Sequence, residues 1–524
     1  MKKIFYNGDF ITLENENTNI SAILINDKYI EKVGLKEEIF QYADDKTELI
    51  DLKGKTMMPA FIDPHSHFTA VANNLLKVDL SECTNFEEIK KKLISFKKEN
   101  NIADKEWIIA CNYDHNNLDE KDHPKKDFLD KILPNNPVIL QHRSGHVGVF
   151  NSKGLQRINI DEATPQIEGG LIEKINGKLT GYLEENAFIQ SQLKVPMPSF
   201  ENLINAYKKA QNIYLENGIT TVQEGMTYKE MIPLYKQLIA NNLLNLDLVS
   251  YIPIDAEEIF KQNFGENFKK YKNNLKIGGY KIFLDGSPQG RTAWMRTPYN
   301  GEDEYCGYGT MKDEEVEKAV RKAYEEDIQI LAHCNGDRAA QQYIDAIRKT
   351  KNNNKIRPVM IHSQLLGTDQ IPDLKILEII PSFFIAHIYY WGDVHIKNFG
   401  YERAKKISPA GTALKENIIY TFHQDSPVIS PNMFETIWCA VKRETKAKVL
   451  LDQNERIRVI DAIKAVTINA AYQYFEEEKK GSIKEGKYAN LIITDKNPLK
   501  VDIDEIKNIK VMETLKEGKT LYTR

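Results

Sequence analysis

MMPAFIDPHSH, residues 57–67, is a mostly apolar run that ends in two histidines two positions apart. In an extended strand, side chains at positions i and i+2 point to the same side, so His65 and His67 can reach one ion from a single strand. Neutral imidazole suits zinc, copper, iron or nickel better than calcium or magnesium. Two incidental histidines give the same short pattern, so the metal prediction depends on further ligands elsewhere in the chain.

The composition indicates a large globular protein. Of the 524 residues, 41% are hydrophobic and 28% charged, which suits a large barrel with smaller domains and argues against long disorder. The net charge of −4 provides no basic surface for nucleic acid. The five cysteines are odd in number and form no Cys-x-x-Cys pair, which predicts reduced thiols in the cytosol.

The length of the apolar runs indicates whether the chain has a secretory signal or a membrane span. The apolar run behind the basic N-terminus is too short for a secretory signal, and no window approaches about 18 uninterrupted apolar residues. We therefore expect a cytoplasmic protein that acts on a small-molecule substrate, without a nucleic-acid or membrane partner. The sequence leaves open whether the protein forms a homodimer.

The middle of the chain alternates strand-like apolar runs with amphipathic helices, the pattern of parallel α/β units. Ten candidate strands lie at 61–67, 107–112, 138–142, 220–224, 246–251, 280–285, 329–333, 359–362, 382–387 and 418–425. The second and third fall in a segment with glycine, asparagine and proline clusters. We predict a (β/α)8 TIM barrel over residues 57–470, with an inserted subdomain at 68–200 after barrel strand 1.

The two ends of the chain are similar to each other in pattern. Residues 1–56 and 471–524 both consist of short strand-like runs separated by turn signals. We predict one small β-sandwich domain that is built from both termini.

Polar residues stand near the ends of several predicted barrel strands. A barrel collects the carboxyl ends of its strands at one face, so these side chains are expected to converge there. They are His65 and His67 on strand 1, Lys281 on strand 4, His333 on strand 5, His362 on strand 6 and Asp425 on strand 8. Taken singly, His333 and His362 also fit core histidines bonded to backbone, and Asp425 also fits a turn cap.

Five phrases carry a family resemblance. They are PAFIDPHSH at 59–67, KIFLDGS at 281–287, HCNGDRA at 333–339, IHSQ at 361–364 and QDSPV at 424–428. In this order they resemble the metal-dependent amidohydrolase superfamily, in particular the branch typified by N-substituted formamide deformylase (amidohydrolase 3 type). The resemblance spans nearly the whole chain.

The resemblance implies a metal centre. Its ligands are His65, His67 and Asp425 for the more buried ion, His333 and His362 for a second ion, and Lys281 as a bridging carbamate. The metal is expected to be zinc, with iron or manganese as alternatives. A free lysine ammonium is repelled by two dications, whereas its carbamate is an anionic oxygen donor. Alternatively, Lys281 remains an amine that pairs with Asp285 or with substrate, and only one metal binds.

The resemblance also implies an activity. We expect hydrolysis of a carbon–nitrogen bond other than a peptide bond, such as an amide or an N-substituted formamide, by metal-activated hydroxide. Asp425 is expected to act as general base and then general acid, and His362 or His333 to stabilise the oxyanion. The alternatives are a deaminase or cyclic amidase of the same superfamily, and a non-catalytic regulatory protein on this fold.

Three further residues are candidates for substrate binding: His146, Glu184 and Arg291. Each also has a simpler explanation, respectively an ordinary loop histidine, a glutamate at a helix start, and an arginine paired with a neighbouring carboxylate. Ser144 replaces an acid that is usual in the branch, two residues before His146. Three more histidines, His387 at the end of strand 7, His395 and His423, receive no role.

Overall fold

The computed structural model describes residues 2–14, 19–196 and 198–524 and divides the chain into two compact units. The first unit is Met1–Thr69 together with Ala210–Arg524, and the second is Ala70–Lys209. Within the described residues, no helix combines the length and apolar content that crossing a membrane requires.

Eight parallel strands form a TIM-barrel-like sheet in the first unit. In chain order they are β1 (Phe61–Ile62), β2 (Ile219–Glu224), β3 (Asp247–Pro253), β4 (Leu275–Phe283), β5 (Gln329–Cys334), β6 (Val359–His362), β7 (Ile380–Phe383) and β8 (Thr421–Phe422). Each strand pairs in parallel with the next one. The sheet curls and brings the segments that follow its first and last strands together. The N–H of His67, beyond β1, donates to the carbonyl of Ser426, beyond β8, at 2.8 Å.

Both faces of this sheet are covered, which explains the continuous apolar runs. Every residue of β2, β6 and β7 is buried, as is typical of parallel sheets flanked by helices. The helices of the barrel region are Phe200–Glu216, Ile232–Ala240, Glu257–Phe264, Asp313–Glu325, Asp337–Thr350, Ile371–Leu377, His387–Phe399, Tyr401–Ala404, Ala410–Lys415, Met433–Lys442, Val459–Ala465 and Ile468–Gln473. In Asp313–Glu325, buried Val316, Val320 and Ala323 follow the helical period, so one stripe packs on the sheet.

The structure corrects the prediction that all six candidate metal ligands lie within strands, because three of them lie beyond the strand ends. β1 ends at Ile62 and β8 at Phe422, so His65, His67 and Asp425 follow their strands. The convergence of the two histidines therefore comes from a turn and not from i, i+2 spacing in a strand. His387 was also placed wrongly, because β7 ends at Phe383 and His387 begins a helix.

The second unit contains a six-stranded sheet of its own. Its order is Gly170–Ile175, Lys178–Glu184, Val147–Phe150, Val138–His142, Ile108–Tyr113 and Val78–Asp79. The helices Phe86–Glu99, Lys126–Ile132, Ser152–Arg157 and Glu185–Gln192 accompany it. The two surplus strands of the sequence pattern lie side by side in this sheet and outside the eight-stranded one. The bounds 68–200 for an inserted subdomain stay a prediction.

The chain termini form two sheets in the first unit. One has the order Tyr29–Gly34, Ala22–Asn26, Lys2–Tyr6 and Glu48–Asp51, and the other Asp9–Phe10, Thr56–Pro59, Leu491–Thr494, Val511–Lys516 and Lys519–Thr523. Both sheets contribute to one apolar cluster, which includes Phe5, Ile23, Met57, Leu491 and Leu515. This shared core supports the predicted sandwich, whose bounds stay a prediction.

An ion network is buried at the end of the barrel where β3 and β4 begin. Lys480 Nζ lies 2.7 Å from Asp247 Oδ2 and 2.6 Å from Glu476 Oε2. Lys516 Nζ lies 2.8 Å from Asp247 Oδ1, and Lys276 pairs with Glu476. None of the five side chains is more than 11% exposed. Charges so deeply buried depend on their partners, because water cannot compensate for a missing one.

Candidate metal centre

The curl of the sheet brings His65, His67 and Asp425 together. Asp425 Oδ1 lies 3.5 Å from His65 Nε2 and 3.3 Å from His67 Nε2. The three ligand atoms all lie within 4.8 Å of one another. Two imidazole nitrogens and a carboxylate oxygen at such separations can share one divalent ion.

His333 and His362 lie on the other side of Asp425. Their ring centroids are 4.6 Å apart, and His362 Nε2 lies 4.0 Å from Asp425 Oδ2. The two oxygens of Asp425 therefore face different histidines. Oδ1 faces His65 and His67, which follow β1, and Oδ2 faces His362. The structure thus brings together the five predicted imidazole and carboxylate groups.

Lys281 is buried near the end of β4. Its Nζ has no hydrogen-bond partner among the described residues, and burial lowers the pKa of the amine to about 7. The predicted alternative, a pair with Asp285, is wrong. The Asp285 carboxylate instead accepts the N–H groups of Asn335 and Gly336 and lies 3.1 Å from His333 Nδ1.

Neighbouring groups fix the orientation of His65. Gln223 Nε2 donates to the carbonyl of Pro64 at 2.6 Å and to the Tyr474 hydroxyl at 2.9 Å, which leaves Gln223 Oε1 to face the ring. That oxygen lies 2.5 Å from His65 Nδ1, so Nδ1 carries the proton and donates it. The lone pair of His65 is therefore on Nε2, which faces Asp425.

The same logic applies to His333 and His362. The Asp285 carboxylate accepts from His333 Nδ1. His362 Nδ1 lies 3.1 Å from His423 Nε2, and His423 Nδ1 lies 2.9 Å from the Ser382 hydroxyl. If both rings donate from Nδ1, each Nε2 is unprotonated. His362 Nε2 faces Asp425, and His333 Nε2 lies 3.3 Å from the amide nitrogen of Asn335.

The electrostatics of the site favour a cation. Burial lowers the pKa of His65 and of His362 well below the ordinary value, so both rings are neutral at neutral pH, as ligation requires. Burial also opposes charge on His67, but the carboxylates of Asp425 and Glu224 raise its pKa to about 9. The carboxylates of Asp425 and Glu224 thus favour a positive charge at this place, which a proton on His67 or a divalent ion can supply.

Backbone strain coincides with two of these residues. His362 has φ of 70° and Asp425 has φ of 55°, both in the left-handed region that side chains with a Cβ rarely adopt. Such conformations persist only where the surroundings impose them, and they cluster at functional sites. The Lys281 amine is buried and has no hydrogen-bond partner among the described residues. Together with this amine and the unprotonated Nε2 of His362, the strained conformations indicate that the residues present fit a divalent ion.

The substrate-binding candidates each contact a neighbouring side chain. Arg291 donates to Glu302 at 2.9 Å, so it pairs with a neighbouring carboxylate. His146 and Glu184 belong to the second unit, where exposed His146 contacts Glu185 at 2.9 Å and Glu184 accepts from the Tyr182 hydroxyl at 2.7 Å. Their role in substrate binding stays a prediction.

Sequence reasoning missed Gln223 and Glu224 and gave no role to His423. Glu224 accepts the backbone N–H of Thr69 at 2.6 Å and lies 3.7 Å from His67 Nδ1. The available signal was two polar residues at the carboxyl end of a fully buried strand. His387 and His395 form a separate buried pair, with 3.0 Å between His387 Nδ1 and His395 Nε2.

A curled sheet of eight parallel strands with histidines and an aspartate at its carboxyl ends defines the class of TIM-barrel-like metal-dependent hydrolases. The sequence pattern that describes the amidohydrolase family matches residues 48–522. The chain belongs to the amidohydrolase family.

Several known proteins are similar over nearly their full length. N-substituted formamide deformylase of Arthrobacter pascens is 26% identical over 536 residues, which cover 99% of this chain and 98% of that protein. Protein LONG AFTER FAR-RED 3 of Arabidopsis thaliana is 25% identical over 532 residues, covering 98% and 91%. The solved structure of an uncharacterized metal-dependent hydrolase of Pyrococcus furiosus superposes with a TM-score of 0.77 at 25% identity, covering 95% and 100%.

Proposed function

We propose that the protein hydrolyses a carbon–nitrogen bond other than a peptide bond, such as an amide or an N-substituted formamide. The observation that carries the proposal is the group of His65, His67, His333 and His362 near Asp425. The amine of Lys281 in β4 is buried and has no hydrogen-bond partner among the described residues. The full-length similarity to a formamide deformylase supports this class of bond.

The proposed ligands are those expected from the sequence. His65, His67 and Asp425 would hold one ion, His333 and His362 a second, and a carbamate of Lys281 would bridge them. Imidazole and carboxylate ligands suit zinc, with iron or manganese as alternatives. When bound, such an ion lowers the pKa of a water molecule towards neutrality and polarises the substrate carbonyl.

Asp425 is the proposed proton shuttle. Burial opposes its charge, but the neighbouring His67 and His423 keep its pKa below the ordinary value, so it is a carboxylate at neutral pH. It can accept a proton from the attacking water and deliver it to the leaving amine. Because Nδ1 of His333 and Nδ1 of His362 each face an acceptor, their Nε2 atoms are unprotonated, and we propose the two rings as ligands and not as oxyanion donors.

A substrate screen tests the function. The full chain, stripped of metal and then reloaded with zinc, iron or manganese, is expected to release the amine from N-formyl or N-acyl amines only when an ion is bound. Amine release is the measurement, and chelation followed by reloading is the control. Release of ammonia from a ring amine would assign a deaminase instead, and a chain that binds none of these ions would overturn the proposal.

A second test addresses the histidine supports. Gln223→Ala is expected to weaken binding of the first ion by about 10–100-fold, because His65 loses the acceptor that fixes its tautomer. Competition with a coloured chelator measures the affinity. Gln342→Ala removes a buried glutamine from a barrel helix and is expected to leave the affinity unchanged. Equal affinities in Gln223→Ala and the unaltered chain would contradict the assignment of His65.

The carbamate predicts that metal loading depends on carbon dioxide. A lysine whose pKa is near 7 offers a neutral amine that can react with carbon dioxide, so the second ion is expected to load only when bicarbonate is supplied. Metal content per chain, with and without bicarbonate, is the measurement. In Lys281→Met, bicarbonate is expected to have no effect. Full loading without bicarbonate would show that Lys281 remains an amine.

A further inference from the structure

A second group of histidines lies in the unit formed by Ala70–Lys209. The strands Ile108–Tyr113 and Val138–His142 are parallel neighbours, and Tyr113 pairs with His142 after a shift in register. Asp114 and His115 directly follow Tyr113. Because parallel neighbours end at the same edge of a sheet, Asp114, His115 and His142 are brought together there.

The ligand atoms form a triangle of suitable size. His115 Nδ1 lies 3.3 Å from His142 Nε2, which lies 3.6 Å from Asp114 Oδ1, and the third side is 4.0 Å. Ligands about 2.0–2.1 Å from a tetrahedral ion stand about 3.3 Å apart. Two ring nitrogens that face each other at 3.3 Å need a proton or a cation between them, since two lone pairs repel.

We propose that Asp114, His115 and His142 bind a divalent transition-metal ion of the zinc class. Two imidazoles and one carboxylate make a ligand set for such an ion, and water completes the coordination. The side chains of Asp114, His142 and His115 are 17%, 10% and 31% exposed, so the ion can exchange with solvent. All three ligands come from one unit, and the site needs nothing from the barrel.

The surroundings hold the ligands ready. Asp114 Oδ1 accepts the N–H of Asn116 at 3.0 Å, and Arg143 lies 3.4 Å from Oδ2. Although burial opposes it, these contacts keep the pKa of Asp114 below its ordinary value. His142 Nδ1 lies 2.9 Å from the Ser144 hydroxyl and accepts the backbone N–H of Ser144 at 3.1 Å, and these two contacts fix the plane of the ring.

A stacked ring fixes His115. The centroids of His115 and His123 are 4.1 Å apart, and His123 Nδ1 lies 2.9 Å from the Tyr113 hydroxyl. Burial lowers the pKa of His123 to about 4, so this ring stays neutral and adds no charge that would repel a cation. The ion would join the ends of two adjacent strands across a triangle that is already assembled.

Metal analysis of the full chain tests the site. After equilibrium dialysis against zinc, His142→Gln is expected to hold one ion fewer per chain than the unaltered protein. The matched control is His146→Gln, which replaces a nearby exposed histidine and is expected to leave the zinc content unchanged. Equal zinc content in His142→Gln and the unaltered protein would overturn the proposal, as would an equal loss in the control.

If His142→Gln does not fold, a new absorption band in a second variant tests the proposed metal site. Asp114→Cys places a thiolate at one corner of the triangle, and cobalt is expected to give a near-ultraviolet thiolate charge-transfer band that the unaltered protein lacks. His146→Cys serves as the control. A folded Asp114→Cys chain without this band would overturn the site. The outcome is independent of the barrel centre, because Asp114→Cys and the unaltered protein have the same barrel residues and the same native cysteines.

Discussion

Asp425→Asn is expected to lower the rate of hydrolysis by about two to four orders of magnitude. The amide keeps the shape of the carboxylate and one oxygen for an ion, but it cannot accept a proton from water. Asp425 is also the group on which His65, His67 and His362 converge, so no neighbour can replace it. The loss is expected in kcat rather than in KM, because the substrate pocket is unchanged.

The matched control is Asp461→Asn. Asp461 is a buried aspartate that accepts from Arg458 in a helix of the same unit, so its replacement tests whether any buried aspartate lowers activity. Metal content is measured alongside turnover, which separates a lost proton shuttle from a lost ion. Unchanged turnover of any identified substrate by Asp425→Asn would remove the aspartate from the mechanism.

Asp247→Asn is expected to lower the free energy of unfolding by about 3–5 kcal/mol. The substitution leaves Lys480 and Lys516 buried, without the carboxylate that both contact. Urea unfolding of the full chain is the measurement. Asp327→Asn, which removes the partner of Lys269 from an exposed pair, is the control and is expected to cost about 0–1 kcal/mol. Equal costs would contradict a structural role for the buried network.

The effect of Asp247 depends on pH in a defined direction. Burial raises the pKa of this carboxyl, but Lys480 and Lys516 outweigh burial and hold it below the ordinary value. A lowered folded-state pKa contributes stability that is complete above the unfolded value of about 3.9 and is lost as pH falls through the folded value. The difference between Asp247→Asn and the unaltered protein is therefore expected to be full at pH 7 and to shrink below about pH 4.

Sequence patterns predicted the TIM-barrel-like fold and a set of polar residues that the structure brings together, but not their local geometry. His65 and His67 were selected by an argument about strands, yet they lie in a turn beyond Ile62. The structure still brings the two histidines close to Asp425, because the carboxyl ends of parallel strands converge whether a residue stands in the strand or just after it. Asp425 lies beyond the end of its strand in the same way.

The supporting residues were beyond the reach of sequence patterns. Gln223 reaches His65 across the join between β2 and the turn after β1, and only the register of the two strands shows this contact. The triangle of Asp114, His115 and His142 likewise arises from the pairing of two parallel strands. No standard ligand spacing marks it, so only the folded chain shows it. His387 was assigned to a strand because an apolar run continues into a helix without a break.

The hydrogen bond between the segments that follow β1 and β8 has a consequence for the order of synthesis. Ser426 accepts from the N–H of His67, and neighbouring Ser66 precedes Ser426 by 360 residues. At about 5–20 residues per second, a ribosome makes the two histidines roughly 20–70 s before the aspartate that faces them. The nascent chain thus carries an incomplete ligand set for most of translation. Capture of an ion by the barrel can only be a late event, after the last strand has left the ribosome.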